Sequence, residues 1–214
     1  DNFQETNTIY GQIIVSPYEN PTSYIEDIRD GELYGTVQIG SQWWMAENLR
    51  YEIPWKAKSG FPTTLCLFEK DEWCESVGKL YHVTSVIEDR FDDKEDAVCP
   101  DGWHIPTKED LDNLIEDIGG PSEVLELAQG GSTDFNGLFL GYGYYYYIYD
   151  GLFPEDTIFT FHETYQEMYM VSSSIPEDIN EARIDTYMIK ISRLNGALWE
   201  GYNTTRYYMP IRCV

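Results

Sequence analysis

Cys99-Pro100-Asp101-Gly102-Trp103-His104-Ile105-Pro106-Thr107, leading into Lys108-Glu109-Asp110-Leu111, is the stretch on which the reading of the fold turns. Thr107 is placed to cap a helix, with Asp110 three residues on as a variant of the capping box and acids filling the first turn. Leu111, Leu114, Ile115 and Ile118 then recur at helical spacing until Gly119-Gly120-Pro121 stops the run. A second short helix is expected from Ser122 to Gln129, with Val124, Leu125 and Ala128 as its inner face.

Strands are expected on both sides of this helical pair. Upstream, Tyr24 to Ile28 leads through Arg29-Asp30-Gly31 into the alternating run Leu33 to Ile39. Gly40-Ser41 then turns the chain into Gln42 to Ala46, which gives a three-strand meander with an Asp-Gly hairpin signal. Residues 50–80 read as irregular, and Tyr81 to Ile87 as a short helix. Downstream the texture is β: Tyr142–Tyr149, Ile158–Phe161, Met168–Ser173, Ile184–Ile191, Ala197–Trp199 and Tyr207–Cys213, with Gly, Pro, Asn and Asp between them. Segregated strands and helices predict an α+β class. Residues 1–23 read as an extended arm with one short apolar strand, Gln12-Ile13-Ile14-Val15, before Ser16-Pro17 and Asn20-Pro21 break it.

The 214 residues carry 38 Asp+Glu against 14 Lys+Arg, a formal charge of −24. That field excludes nucleic acid and an anionic membrane face as partners, since both need a basic footprint. An apolar content of 42% with Trp 6, Tyr 18 and Phe 9 argues for a packed core despite the charge. No apolar run approaches the roughly 18 residues of a membrane span. The sequence starts at Asp1 rather than Met, so any export leader is expected to lie outside it.

Cys66, Cys74, Cys99 and Cys213 form no CxxC motif and allow three pairings, among which spacing does not choose. Cys66–Cys74 with Cys99–Cys213 is the economical option. The long bridge would close about 115 residues and contribute roughly 4 to 5 kcal/mol in the chain-entropy picture. Four free thiols in a cytosolic protein is the competing reading. Even cysteine number and strong acidity favour an extracellular compartment.

Four ordered blocks resemble the Fibrobacter succinogenes major paralogous domain family. They are Ile28-Arg29-Asp30-Gly31-Glu32-Leu33-Tyr34-Gly35-Thr36-Val37-Gln38-Ile39-Gly40-Ser41-Gln42-Trp43-Trp44-Met45-Ala46-Glu47-Asn48-Leu49; Gly78-Lys79-Leu80-Tyr81; Cys99 to Thr107, matching C-P-x-G-W-H-x-P-T; and Ile211-Arg212-Cys213-Val214. The resemblance runs from about Tyr24 to Val214, so the domain is taken as 24–214. It implies a secreted or surface-attached bacterial domain without an established general activity. The C-P-x-G-W block is also similar to one in formylglycine-generating and C-type-lectin-like folds. That likeness implies a twisted antiparallel sheet with two helices, stapled by disulfides, and it supports the pairing Cys66–Cys74 and Cys99–Cys213. The sequence departs from the family pattern at His82-Val83-Thr84 and in the Tyr-rich 142–149 segment.

Chemistry-bearing residues are weighed against plainer roles. His104 is expected to hydrogen-bond beside the helix start rather than to catalyse. No phosphate loop, HExxH or paired-carboxylate motif stands out, so a non-enzyme is expected. Asp89, Asp92, Asp93, Glu95 and Asp96 concentrate oxygen ligands that could hold calcium; the bland reading is a solvated acidic loop. Exposed Tyr144, Tyr146, Trp199 and Tyr202 are candidates for stacking on sugars, with Tyr207 and Tyr208 beside them. Alternation along a strand sends at least half of the 144–147 run into a core or interface. Asn203-Thr204-Thr205 is a glycosylation-type sequon. The arm Gln12–Val15 could add a strand to a neighbouring subunit and build a filament, or pack on its own domain. The expectation is an exported, non-enzymatic bacterial surface protein, structural or adhesive and self-associating, without a cofactor; the alternative is a lectin-like carbohydrate-binding module, calcium-dependent in one version.

Overall fold

Asp30-Gly31 makes the first hairpin turn among the described residues. Gly31 sits at φ 80° and its N–H donates to the Asp27 carbonyl at 2.7 Å, a left-handed conformation that glycine adopts without steric cost. The Asp27 carboxylate is fully buried and takes bonds from the Arg29 amide, Nε and a terminal guanidinium nitrogen. The computed structural model describes residues 22–53, 62–88, 98–150, 153–176, 185–204 and 207–214, the side chains of 85, 88, 146–150, 153–157 and 202–204 excepted. The expected arm strand Gln12–Val15 lies outside the described residues.

The meander forms as expected. β1 (Ser23–Asp27), β2 (Glu32–Ile39) and β3 (Gln42–Met45) pair antiparallel in that order. The segment expected to be irregular contains β4 (Thr64–Leu65), a 3-10 turn at Leu67–Glu69 and α1 (Asp71–Val77). The Cys66–Cys74 bond closes this turn and helix, with Cα atoms 4.9 Å apart. The helix expected over Tyr81 to Ile87 starts later. Leu80–His82 is a strand, β5, because it is paired on both sides, by β4 and by β11 (Tyr207–Pro210); α2 (Val83–Glu88) follows.

α3 (Lys108–Asp117) has the full capping box. The Thr107 hydroxyl accepts from the Asp110 amide, and the Asp110 carboxylate accepts from the Thr107 amide at 2.8 Å. The run expected as a second helix over Ser122 to Gln129 is a 3-10 segment, Pro121–Leu127, and its inner face is corrected. With three residues per turn, Val124 and Leu127 share the buried side, while Leu125 is 40% exposed.

The β-rich half divides into two sheets. β6 (Tyr142–Asp150) and β7 (Phe153–His162) form a hairpin inside a five-stranded sheet ordered β4-β5-β11-β6-β7, whereas β8 (Glu167–Val171), β9 (Asp185–Ser192) and β10 (Leu198–Thr204) make a separate three-stranded sheet ordered β10-β9-β8. The class is α+β. Among the described residues the strands fall into three antiparallel sheets beside three short helices, where one twisted sheet with two helices is the expectation; β9 takes both its partners from the late strands and none from β6. β8 and β9 are buried on both faces, while Trp199 and Glu200 on β10 are exposed. Ile189 and Ile191 pack with Leu111, Leu114 and Trp44, and Met188 packs with Tyr169 and Met209.

Candidate functional site

The four sequence blocks meet at one place, around the last four residues. The Met45 amide donates to the Cys213 carbonyl, the Leu49 amide to that of Ile211, and His104 and Val214 exchange both backbone bonds at 3.0 Å. The Lys79 amide reaches the Leu49 carbonyl, and the Asn48 amide group donates to Val77. Cys99–Cys213 completes the junction, with Cα atoms 6.0 Å apart. The void beside Asn48 and Arg212 holds only about 10 Å³, room for one water at most. These blocks build the fold, and the exposed chemistry lies elsewhere.

It lies where β6, β7 and β11 carry one face of the five-stranded sheet beyond the buried Tyr81 and Met209. Alternation divides the tyrosine run. Tyr145 turns inward against His82, Tyr208 and Phe159, with ring centroids at 5.8, 6.2 and 6.4 Å, over the cluster of Leu67, Val77, Leu80 and Leu140. Tyr142 and Tyr144 lie on the opposite face and are half-buried, Tyr142 packed against the cluster of Tyr81, Tyr169 and Met209. Cross-strand pairing sets His162 opposite Tyr142, and Thr160 and Tyr207 on either side of Tyr144. The result is a contiguous aromatic face: Tyr142–Tyr207 at 4.7 Å, Tyr144–Tyr207 at 5.6 Å and Tyr142–His162 at 5.3 Å.

The rings are tilted rather than coplanar. Interplanar angles are 51° and 57° for the two pairs with Tyr207, 84° for Tyr142 on Tyr169, and 21° for the stacked Tyr142–His162 pair. Tyr169 lies beneath and donates its hydroxyl to Glu163. Burial, and then the Glu163 charge, raise the Tyr142 and Tyr169 phenols above their ordinary range. At neutral pH they are donors, not anions. The exposed His162 Nε2 lies 2.9 Å from the Thr160 hydroxyl.

The residues singled out from sequence are dispersed. Tyr144 belongs to this face. Tyr146 is on β6 opposite Ile158, and Tyr202 and Asn203 are on β10 opposite Tyr187 and Thr186, with side chains outside the description. Trp199 is 41% exposed on β10, in a different sheet from Tyr144. Tyr208 is fully buried, which removes it from the surface candidates. Asp89, Asp92, Asp93, Glu95 and Asp96 lie outside the described residues. Among the described residues no group of three or more His, Cys, Asp or Glu is placed to hold a metal, and no helix is long and apolar enough to cross a membrane. His104 is where its block predicts, with Nε2 3.0 Å from Asp110 Oδ2 at the helix cap. Asp110 is partly buried, which opposes ionisation, but bonds from Thr107 and His104 outweigh that and lower its pKa. All four cysteines are disulfide-bonded.

Tyr142, Thr160 and His162 were not singled out from sequence. A short β6–β7 hairpin fixes their register, so pairing the Tyr-rich run against the Ile158–Phe161 strand would have found them. The family model of the Fibrobacter succinogenes major domain matches residues 37–214. No curated protein and no solved structure gives a significant match.

Proposed function

The chain belongs to the Fibrobacter succinogenes major domain family, and from that premise we propose that it is an exported, non-enzymatic bacterial surface module of C-type-lectin-like build, structural or adhesive in role. It makes its contacts through the tyrosine face, with a second copy of the chain as the first partner to consider. The observation that carries this reading is the row of half-buried, mutually tilted rings of Tyr142, Tyr144 and Tyr207. Tilted aromatic edges carrying hydroxyls suit an irregular protein surface, where Tyr is enriched. The lectin-like comparison is supported by the Cys99 block ahead of a capped helix and by its bond to Cys213 near the chain end. Two disulfides support an oxidising compartment. Two of the three histidines sit in structural settings, His82 buried and His104 engaged at a helix cap, which supports a non-catalytic role for both.

Sedimentation velocity of the oxidised protein over a range of concentrations tests it. Association is expected for the wild type and its loss for Tyr144→Ser/Tyr207→Ser. A chain that stays monomeric throughout overturns the self-contact reading.

Carbohydrate binding is a second reading, favoured by Trp199. Its ring folds over Gly201, where an added Cβ would come within 2.9 Å of it, and the side chain is 41% exposed. A ring laid along a strand in this way presents a face to a pyranose. Glycan-array binding lost in Trp199→Ala would select this reading over the first.

A further inference from the structure

Away from the tyrosine face, a pocket of about 270 Å³ opens between the 3-10 segment, the run after it and the turns that follow β7 and β9. Leu125, Gln129, Leu138, Phe139, Tyr165 and Arg193 line it. The volume is close to the lower end for small-molecule sites, enough for one ring with a substituent. One lining residue, Tyr165, is a non-glycine in the left-handed region, at φ 69°. For a bulky side chain such as Tyr that conformation is rare and unfavourable, and it persists only where the surroundings impose it. Here the Tyr165 amide donates to the Phe139 carbonyl at 2.7 Å, and the Arg193 amide to that of Gln166 at 2.8 Å. The β7–β8 connection and the β9–β10 turn are thereby pinned together, which places Arg193 on the rim.

The charge at that rim runs against the rest of the molecule. In a chain with 38 acids and 14 cations, Arg29, Arg50, Lys79 and Lys108 each have a carboxylate within ion-pair distance. Arg193 forms no ion pair with a carboxylate among the described residues; its guanidinium stands 5.7 Å from the centre of the Phe139 ring. Glu163 is taken up by the Tyr169 hydroxyl and Glu126 by the Ser132 amide. A planar guanidinium beside an apolar, aromatic-lined pocket is matched to a carboxylate carried on a compact ring.

We infer that this pocket binds a ring-bearing carboxylate, with Arg193 holding the carboxylate and Leu125, Phe139 and Tyr165 enclosing the ring. The same chemistry is offered by a uronic acid residue of a polysaccharide and by a free aromatic acid.

Calorimetric titration of the intact, oxidised chain with glucuronate, benzoate and glucose tests this. Arg193 is exposed, so Arg193→Gln is expected to keep the wild-type melting temperature. It should weaken carboxylate binding at least about tenfold, the scale of a lost charge-assisted contact. Glucuronate binding without benzoate binding supports the site and assigns it to acidic sugars; benzoate alone supports it and assigns it to free aromatic acids. Glucose binding as tightly as glucuronate, an Arg193→Gln protein that binds unchanged, or no binding of either acid overturns the inference. Tyr144→Ser/Tyr207→Ser should leave the titration unchanged, which keeps this result separate from that for the tyrosine face.

Discussion

Asn48 Oδ1 receives two bonds from the buried Arg212 guanidinium, from Nε at 3.2 Å and from a terminal nitrogen at 2.9 Å, across 164 residues of sequence. Arg212 also donates to the Phe135 carbonyl and lies 4.4 Å from the centre of that ring. Asn48 in turn donates to the Val77 carbonyl at 2.9 Å. One side-chain amide therefore links the meander, α1 and the chain end. Removing an acceptor from a buried cation leaves that charge short of a partner, which costs about 2–3 kcal/mol. Asn48→Ala is expected to lose about that much in urea unfolding, with an unchanged m-value; a loss below about 0.5 kcal/mol would show that Asn48 is not what holds Arg212.

The two disulfides should contribute unequally. Cys99–Cys213 spans 114 residues and Cys66–Cys74 spans 8. In the chain-entropy picture these correspond to roughly 5 and roughly 2.5 kcal/mol at 25 °C. Cys99→Ala/Cys213→Ala is therefore expected to lower the unfolding midpoint about twice as far as Cys66→Ala/Cys74→Ala. Comparing the two double variants by denaturant melts checks this, and an equal or reversed order would refute the ranking.

What could be read from the sequence was mostly local. The Asp30-Gly31 turn and the Thr107 cap are set by residues within four positions of each other, so the meander and α3 lie where the pattern puts them. Partners chosen at long range were not legible. Leu80–His82 carries no strand signal of its own and becomes β5 because β4 and β11 lie on either side. The late strands show the same texture whether they join β11 or β9, so their division into two sheets had no local mark. The candidate face was half legible. Alternation correctly assigned part of the tyrosine run to packing, yet His162 and Tyr207 reach the face only through cross-strand pairing. Arg193 had no motif; its signal is that, among the described residues, no carboxylate pairs with it.

His82 should make stability depend on pH between about 4 and 6.5. Burial lowers its pKa from 6.5 to about 4, in a site where the ring packs on Tyr208 at 5.1 Å and Tyr145 at 5.8 Å. The folded chain thus holds the imidazole neutral while the unfolded chain protonates it at ordinary pH. The stabilisation is complete above about 6.5 and is lost as pH falls towards about 4. The scale is about 3 kcal/mol for a shift of this size. The depressed pKa of Asp110 acts in the same direction at lower pH. His82→Gln is expected to flatten the profile between pH 6.5 and 4, as read by denaturant melts at fixed pH; an unaltered slope would assign the acid sensitivity to other groups.

Gly141 marks the corner where the large sheet meets the β7–β8 turn. It sits at φ 66°, its amide donates to the Glu167 carbonyl at 3.0 Å, and a Cβ there would lie 1.9 Å from the His162 carbonyl oxygen. Two costs combine in Gly141→Ala: a left-handed alanine, about 1–2 kcal/mol, and a collision with backbone that a side-chain rotation does not relieve. Because His162 and Tyr142 stack directly beside this corner, the strain should also displace the tyrosine face. The expected outcome is a destabilisation of more than about 2 kcal/mol together with weakened self-association in sedimentation velocity. Gly31→Ala is the control, since its left-handed glycine has no atom within 4 Å of an added Cβ. It should cost only the conformational part and leave association intact, and equal effects from the two substitutions would remove the link between this corner and the contact face.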